Sequence, residues 1–222
     1  MSEQASRLRL TEIFYSLQGE SNTVGWPTIF IRLTGCPLRC QYCDTDYAFQ
    51  GGEWWSFEEI INEVKKYNTP YITVTGGEPL AQKNCFNLLT ALADLEYKVS
   101  LETSGAIEIQ QVDSRIIKVM DLKTPSSNEE SKNKYNNINY LSSSDQVKFV
   151  ICNRDDYDWA VKICKQYKLE NICTVLFSPV NTDSESELNI EKDLAAWILE
   201  DQLQVRYQIQ LHKFIWGNLP GV

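Results

Sequence analysis

Thr28-Ile29-Phe30-Ile31-Arg32-Leu33-Thr34-Gly35-Cys36-Pro37-Leu38-Arg39-Cys40-Gln41-Tyr42-Cys43-Asp44 reads as a short apolar strand running into a loop that holds three cysteines. Thr28–Leu33 is rich in β-branched and aromatic residues, the composition of a strand. The CxxxCxxC spacing lets one loop wrap three thiolates around a neighbouring point. Thiolates are soft ligands, suited to iron–sulfur clusters or zinc. A cubane cluster normally takes four thiolates, so three leave one iron without a protein ligand. A structural zinc needs a fourth ligand, and the sole histidine, His212, is distant in sequence. Spacing alone leaves both metals open.

Outward from this loop, apolar runs of strand length alternate with segments of helical period. Tyr71–Thr75, Val99–Glu102, Ile116–Asp121, Gln146–Ile151, Thr174–Phe177 and Val205–Leu211 read as strands. Phe57–Tyr67, Cys85–Glu96, Asp155–Tyr167 and Ile190–Glu200 read as helices. Their inward faces are expected at Ile60, Ile61, Val64 and Tyr67, at Phe86, Leu89, Leu92 and Leu95, and at Tyr157, Ala160, Val161 and Cys164. Strands alternating with helices imply parallel pairing with crossovers. The chain has 222 residues, short of the ~250 of a complete eight-fold barrel. The expected fold is an α/β, incomplete TIM-like β/α barrel in one domain over 1–222. A polar insertion at 124–145 and an acidic loop at 181–189 interrupt it.

Ligands of such sheets bind where the strands end at their carboxyl side. The ends Thr75-Gly76-Gly77, Glu102-Thr103-Ser104, Asp121 to Lys123 and Ser178-Pro179 join the cysteine loop in one expected site. The net charge of −9 argues against direct nucleic-acid binding. No apolar run of ~18 residues is present, and the first ten residues lack the apolar core of a signal peptide, so a cytoplasmic protein with no membrane span is expected. Of the seven cysteines, Cys85, Cys152, Cys164 and Cys173 lie on or beside apolar elements and read as small core hydrophobes.

CxxxCxxC after a strand, an aromatic residue before its last cysteine, and Thr75-Gly76-Gly77-Glu78-Pro79 together resemble the radical S-adenosylmethionine superfamily. Within it, Glu12-Ile13-Phe14-Tyr15-Ser16-Leu17-Gln18-Gly19-Glu20, Cys43-Asp44-Thr45-Asp46, Leu101-Glu102-Thr103-Ser104-Gly105 and Gln210-Leu211-His212-Lys213 look like the 7-carboxy-7-deazaguanine synthase family, over most of the chain. That family converts 6-carboxy-5,6,7,8-tetrahydropterin to 7-carboxy-7-deazaguanine with loss of ammonia, a step toward 7-deazapurines such as queuosine in tRNA.

The resemblance implies a 4Fe-4S cluster on Cys36, Cys40 and Cys43, S-adenosyl-L-methionine as cofactor, and Mg²⁺ at Thr45. It implies cofactor contacts from Tyr42, Cys43, Asp44, Gly77, Asp121, Leu122, Lys123, Phe177, Ser178, Pro179 and Val180. Substrate contacts fall on Leu17, Gln18, Gly19, Arg32, Thr75 and the tail at Val222. Glu102 either meets the pterin or pairs with a nearby donor, and His212 has a structural and a ligand reading of equal weight. A homodimer and a flavodoxin or ferredoxin as electron donor are further expectations. The competing reading is a glycyl-radical-enzyme activase, which shares the cysteine spacing; the Leu17–Glu20 and Cys43–Thr45 segments argue against it.

Overall fold

Alternate residues along the strands differ in polarity, and this period of two gives the sheet an apolar outer face and a polar inner face. The computed structural model describes residues 6–181, 189–219 and 221–222. Its strands are β1 (Arg7–Leu17), β2 (Pro27–Leu33), β3 (Glu53–Ser56), β4 (Tyr71–Gly76), β5 (Lys98–Thr103), β6 (Ile117–Asp121), β7 (Gln146–Ile151), β8 (Thr174–Pro179) and β9 (Arg206–Tyr207). They form one sheet in the order β3-β1-β2-β4-β5-β6-β7-β8-β9. From β2 to β9 all neighbours are parallel, while β1 is antiparallel to both β2 and β3. This is an open, incomplete β/α barrel.

The outer face packs under α1 (Phe57–Val64), α2 (Cys85–Asp94), α3 (Arg154–Tyr167) and α4 (Ile190–Glu200). Two apolar clusters result. One joins Ile29, Ile31, Ile72, Val74, Val99 and Leu101 to α1 and α2. The other joins Met120, Val147, Phe149, Val175 and Phe177 to α3 and α4. Cys85 and Cys173 are buried members of these clusters, and Cys152 and Cys164 pack against the second. Helix starts follow from capping: Ser56 and Glu59 form a capping box on α1, and Asn153 accepts from Asp156 N at the start of α3.

Four sequence expectations change. β1 was not anticipated as a strand, and its hairpin-like link to β2 gives the sheet an antiparallel edge. On α2, Leu89 and Leu92 are buried as expected, but Cys85 and Leu88 fill the inner positions in place of Phe86, which is half-buried, and Leu95, which is exposed because the helix ends at Asp94. On α3 the buried residues are Asp156, Tyr157, Ala160 and Ile163, with Val161 and Cys164 only half-buried. The last strand stops at Tyr207. Beyond it, Gln208 turns inward to bond Ser21 N and O, and Leu211 N, which opens α5 (Leu211–Trp216), donates to Gly19 O. Most of the acidic loop at 181–189 lies outside the described residues. Among the described residues no helix is long and apolar enough to cross a membrane.

Two connections reach beyond their own strands. The loop after β1 crosses to four other strands: Gln18 Nε2 donates to Thr73 Oγ1 (2.9 Å), Asn22 N to Gln146 Oε1 (2.8 Å), Asn22 Nδ2 to Thr174 Oγ1 (3.4 Å), and Asn22 Oδ1 accepts from Arg206 (3.1 Å). It therefore ties the two halves of the open barrel together. The polar segment 124–145 is braced rather than loose. Ser127 O accepts from Gln41 N (3.1 Å) and Glu129 accepts from Arg39 N (2.5 Å), so its first turns support the cysteine loop.

The Glu78 carboxylate joins the ends of β4 and β5. It is wholly buried and accepts from Leu80 N, Ser104 N, Ser104 Oγ and Thr103 Oγ1 at 2.5–3.0 Å. Removing an acceptor strands these donors in the interior, at roughly 1–3 kcal/mol for each donor left unpaired. Glu78→Ala is expected to lower unfolding free energy by about 3–5 kcal/mol in urea denaturation, and Glu78→Gln by less because it keeps one acceptor oxygen.

Candidate active site

The polar inner positions converge on a cavity of about 690 Å³ at the carboxyl ends of the strands. β2 contributes Arg32, β4 Thr75, β5 Glu102, β6 Asp121, β7 Lys148 and β8 Ser178. The cysteine loop forms one wall, and the segment around α5 with the chain end forms another. At the base of the loop, Gly77 N donates to Leu33 O (3.3 Å) and Glu78 N to Gly35 O (2.9 Å). A Cβ on Gly77 would lie 2.4 Å from Gly35 O and 2.6 Å from the Cys36 Cβ, so only glycine admits this seating.

Cys36, Cys40 and Cys43 all line the cavity. Burial raises each thiol above its ordinary value, Cys40 to about 11 despite the opposing charge of Lys123. The free thiols therefore hold their protons at neutral pH, and a metal must displace them. Among the described residues no three Cys, His, Asp or Glu side chains converge on one point. A cubane takes each thiolate at a separate iron, and three cysteines on one wall supply three of its four ligands and leave one iron open toward the cavity. Two buried oxygens beside it, Asp121 Oδ1 and Ser178 Oγ, lack a hydrogen-bond partner. Buried polar atoms are rarely left so, and both residues line the cavity, where the Asp121 oxygen can accept from a polar ligand and the Ser178 hydroxyl can accept or donate.

Beside Thr75 and Arg32 the cavity changes character. Phe14 and Phe30 stack with centroids 4.8 Å apart and line this part of the cavity with apolar surface. Arg32 lies over Phe14 and Tyr47, and its Nε donates to Glu12 Oε1 at 2.7 Å. Tyr47 OH donates to the same oxygen at 3.0 Å. The terminal guanidinium nitrogens of Arg32 have no partner among the described residues, which leaves a two-pronged donor for a carboxylate. Thr75 Oγ1 donates to Glu102 Oε2 at 2.7 Å. Burial and the nearby Glu20 charge hold the Glu102 carboxyl above its ordinary value of 4.5. Burial also acts to raise Glu20, but the charge and hydrogen bond of Lys148 outweigh it and the net shift is downward.

The sequence matches the pattern of the Radical SAM superfamily over residues 30–190. The 7-carboxy-7-deazaguanine synthase of Koribacter versatilis is 42% identical over 219 residues, covering 94% of this chain and 97% of that protein. The enzyme of the same name from Chlorobaculum tepidum is 41% identical over 220 residues, with 98% and 97% covered. The chain belongs to the 7-carboxy-7-deazaguanine synthase family. The fold agrees: QueE from Escherichia coli superposes with a TM-score of 0.77 at 19% identity, covering 93% of this chain and 95% of that one. Streptococcus suis SuiB bound to S-adenosylmethionine shares the fold more distantly, with a TM-score of 0.53 at 15% identity over 79% of this chain and 45% of that one.

Of the positions that the family motifs single out, Leu17, Gln18, Gly19, Arg32, Tyr42, Asp44, Thr45, Thr75, Gly77, Asp121, Lys123, Ser178, Pro179, Val180 and Val222 line the cavity with the three cysteines. Leu122 and Phe177 do not. Their side chains are fully buried in the core below it, Phe177 edge-on to Phe149 and Tyr157. Gln18 is already committed, donating to Thr73 and accepting from Glu20 N. Thr45 Oγ1 donates to Asp44 Oδ1 at 2.8 Å. His212 packs against Gly19, where a Cβ would lie 2.0 Å from its Nδ1. Glu12, Glu20 and Gln210 lie within the family motifs but carry no individual role in the sequence, and Lys148 lies outside those motifs. The one signal available for Lys148 was a charged residue inside the apolar run Gln146–Ile151.

Replacing Cys36, Cys40 or Cys43 by Ala is expected to abolish the brown colour of anaerobically reconstituted protein and its bound iron and sulfide. Replacing Cys85, Cys152, Cys164 or Cys173 should leave both near wild type. Unchanged iron in the first three variants would refute the ligand set. A second expectation concerns pH. A carboxyl raised on folding binds its proton more tightly in the folded state, so its contribution to stability falls as pH rises from 4.5 through the raised value. Glu102→Gln removes that fall. The drop in urea midpoint between pH 5 and pH 8 should be smaller in the variant, and an equal drop would contradict the assignment.

Proposed function

We propose that this chain is a 7-carboxy-7-deazaguanine synthase, contracting the ring of 6-carboxy-5,6,7,8-tetrahydropterin to 7-carboxy-7-deazaguanine with release of ammonia. The observation that carries the reading is one cavity with a three-cysteine wall at one end and, at the other, the terminal nitrogens of Arg32, free among the described residues, beside the Phe14–Phe30 pair. Full-length relatives of that name, at 40–42% identity, support it. Cys36, Cys40 and Cys43 would hold a 4Fe-4S cluster. Gly77, Asp121, Lys123 and Ser178 would meet S-adenosyl-L-methionine, Gly77 by close backbone approach and Asp121 and Ser178 through their unpartnered oxygens. When bound, these groups supply a 5′-deoxyadenosyl radical by reductive cleavage of the sulfonium carbon–sulfur bond.

The chain's own residues orient the substrate. Arg32, aimed by Glu12 and Tyr47, takes the pterin carboxylate with its two terminal nitrogens. The stacked pair Phe14 and Phe30 lines one side of the bicyclic ring and keeps water from that side. Glu102 and Thr75 meet the polar edge of the ring, where N–H donors face a carboxylate oxygen. This holds the carbon bearing the carboxylate in a fixed position within the cavity, the requirement for selective hydrogen removal. Thr45, which lines the cavity, would offer Mg²⁺ a hard hydroxyl oxygen, the ligand type this ion prefers.

The same proposal covers the setting. The enzyme works as one domain, in the cytoplasm, where its seven free thiols stay reduced. A flavodoxin or ferredoxin supplies the electron, a second copy forms a homodimer, and the product serves tRNA modification without contact between this acidic chain and RNA.

Anaerobic turnover of the carboxylated pterin with reductant and S-adenosylmethionine should give a product with the mass of 7-carboxy-7-deazaguanine, and one ammonia for each. Intact pterin after the cofactor has been cleaved would overturn the assignment. Chelation of Mg²⁺ should slow turnover, and Thr45→Ala should blunt the response to added Mg²⁺. Equal rates with and without the metal would remove it from the account.

A further inference from the structure

Lys148 lies on β7 in register with Asp121 of β6 and Leu176 of β8. Its side chain is 15% exposed and lines the cavity between two carboxylates. Glu20 Oε2 is 2.5 Å from its ammonium and Asp121 Oδ2 is 3.7 Å away. These carboxylates serve different ends of the cavity. Glu20 Oε1 accepts from Gln210 Nε2 at 2.7 Å, and the adjoining Gly19 O accepts from Leu211 N at 2.9 Å. Glu20 thus anchors the start of α5 and the tail that reaches the cavity at Val222. Asp121 Oδ2 is shared with Lys123 at 3.0 Å, while its buried Oδ1 remains without a partner beside the cysteine wall.

We propose that Lys148 is a positioning residue that couples the two ends of the site, so that S-adenosylmethionine and the pterin each bind more tightly when the other is present. One ammonium serves two buried carboxylates unequally, close to Glu20 at 2.5 Å and farther from Asp121 at 3.7 Å. A donor from the cofactor on Asp121 Oδ1 disperses the charge of that carboxylate and leaves Lys148 more fully to Glu20. The firmer chain Lys148–Glu20–Gln210 then holds α5 and the tail against the substrate end. Thermodynamic linkage requires the same factor in the other direction, and couplings of this kind run from about 5- to 150-fold. Lys123 cannot substitute, because among the described residues its ion pair is to Asp121 and none reaches Glu20.

The inference rests on the function proposed above for the identity of the two ligands. Its test is anaerobic calorimetry on the cluster-loaded protein without reductant, so that no chemistry occurs. S-adenosylmethionine is titrated with and without saturating 6-carboxytetrahydropterin, and the pterin with and without S-adenosylmethionine. In the wild type each should tighten the other roughly tenfold. In Lys148→Met the factor should fall to near one with cluster absorbance unchanged, and Lys148→Arg, which keeps the charge, should restore most of it. Equal coupling in wild type and Lys148→Met, or none in the wild type, overturns the proposal alone. Should Lys148→Met fail to hold a cluster, Lys148→Gln replaces it; failure of both assigns Lys148 to the fold and likewise overturns the proposal. A wild type that binds S-adenosylmethionine but not the pterin overturns the functional reading and this proposal with it.

Discussion

The seating of the Gly76-Gly77 turn against Leu33–Cys36 is the contact on which the rest of the site depends. Gly77 N and Glu78 N hold Leu33 O and Gly35 O, and there is no room for a side chain between the turn and Cys36. Gly76 lies at a φ of +142°, a conformation that L side chains rarely adopt, and a Cβ there would fall 2.1 Å from Leu33 O. Two consecutive glycines thus let β4 end directly under the cysteine loop. Glu78 then turns back to knit β4 to β5, and the 124–129 turns brace the loop from its other side. A flexible loop with three thiols becomes a wall with a defined place.

The interior that this wall faces carries an unusual density of charge. Glu20, Asp121, Lys123 and Lys148 are largely buried within one network. Desolvating such groups costs several kcal/mol each, and pairing offsets this only when every charge has a partner. The apolar residues needed for stability therefore sit on the other face of the same strands. Period-two alternation is what allows a strand such as Gln146–Ile151 to build core with Val147, Phe149 and Ile151 while presenting Lys148 to the cavity. Fold and site are two faces of one sheet, so a change of register would lose both.

Much of this was legible in the sequence. Gln146–Ile151 and Ile190–Glu200 fall where their patterns place them, and the strand-end residues Thr75, Glu102, Asp121 and Ser178 do meet in one cavity. The misreadings have physical causes. α2 was phased on Phe86 because a cysteine carries a weaker hydrophobic signal than phenylalanine, yet Cys85 is the buried residue. Val205–Leu211 has strand composition, but Gln208 and Leu211 spend their hydrogen bonds on Ser21 and Gly19, contacts that no local pattern encodes. The same holds for the charge network: Glu20 and Lys148 are 128 positions apart in the chain. Glu78 sits within a recognisable motif, yet only the structure shows its carboxylate spent on β5 rather than on a ligand.

The central claim is that the cysteine wall and the Arg32 end of the cavity serve one radical reaction on one substrate. Ring contraction with loss of ammonia is redox-neutral, so hydrogen taken from the substrate can be returned and the cofactor recovered. The most direct measurement uses 6-carboxytetrahydropterin deuterated at C6 under anaerobic turnover. The account predicts deazapurine product together with deuterium at the 5′ carbon of recovered S-adenosylmethionine. Stoichiometric 5′-deoxyadenosine with no deazapurine would contradict it and leave only the cluster assignment standing.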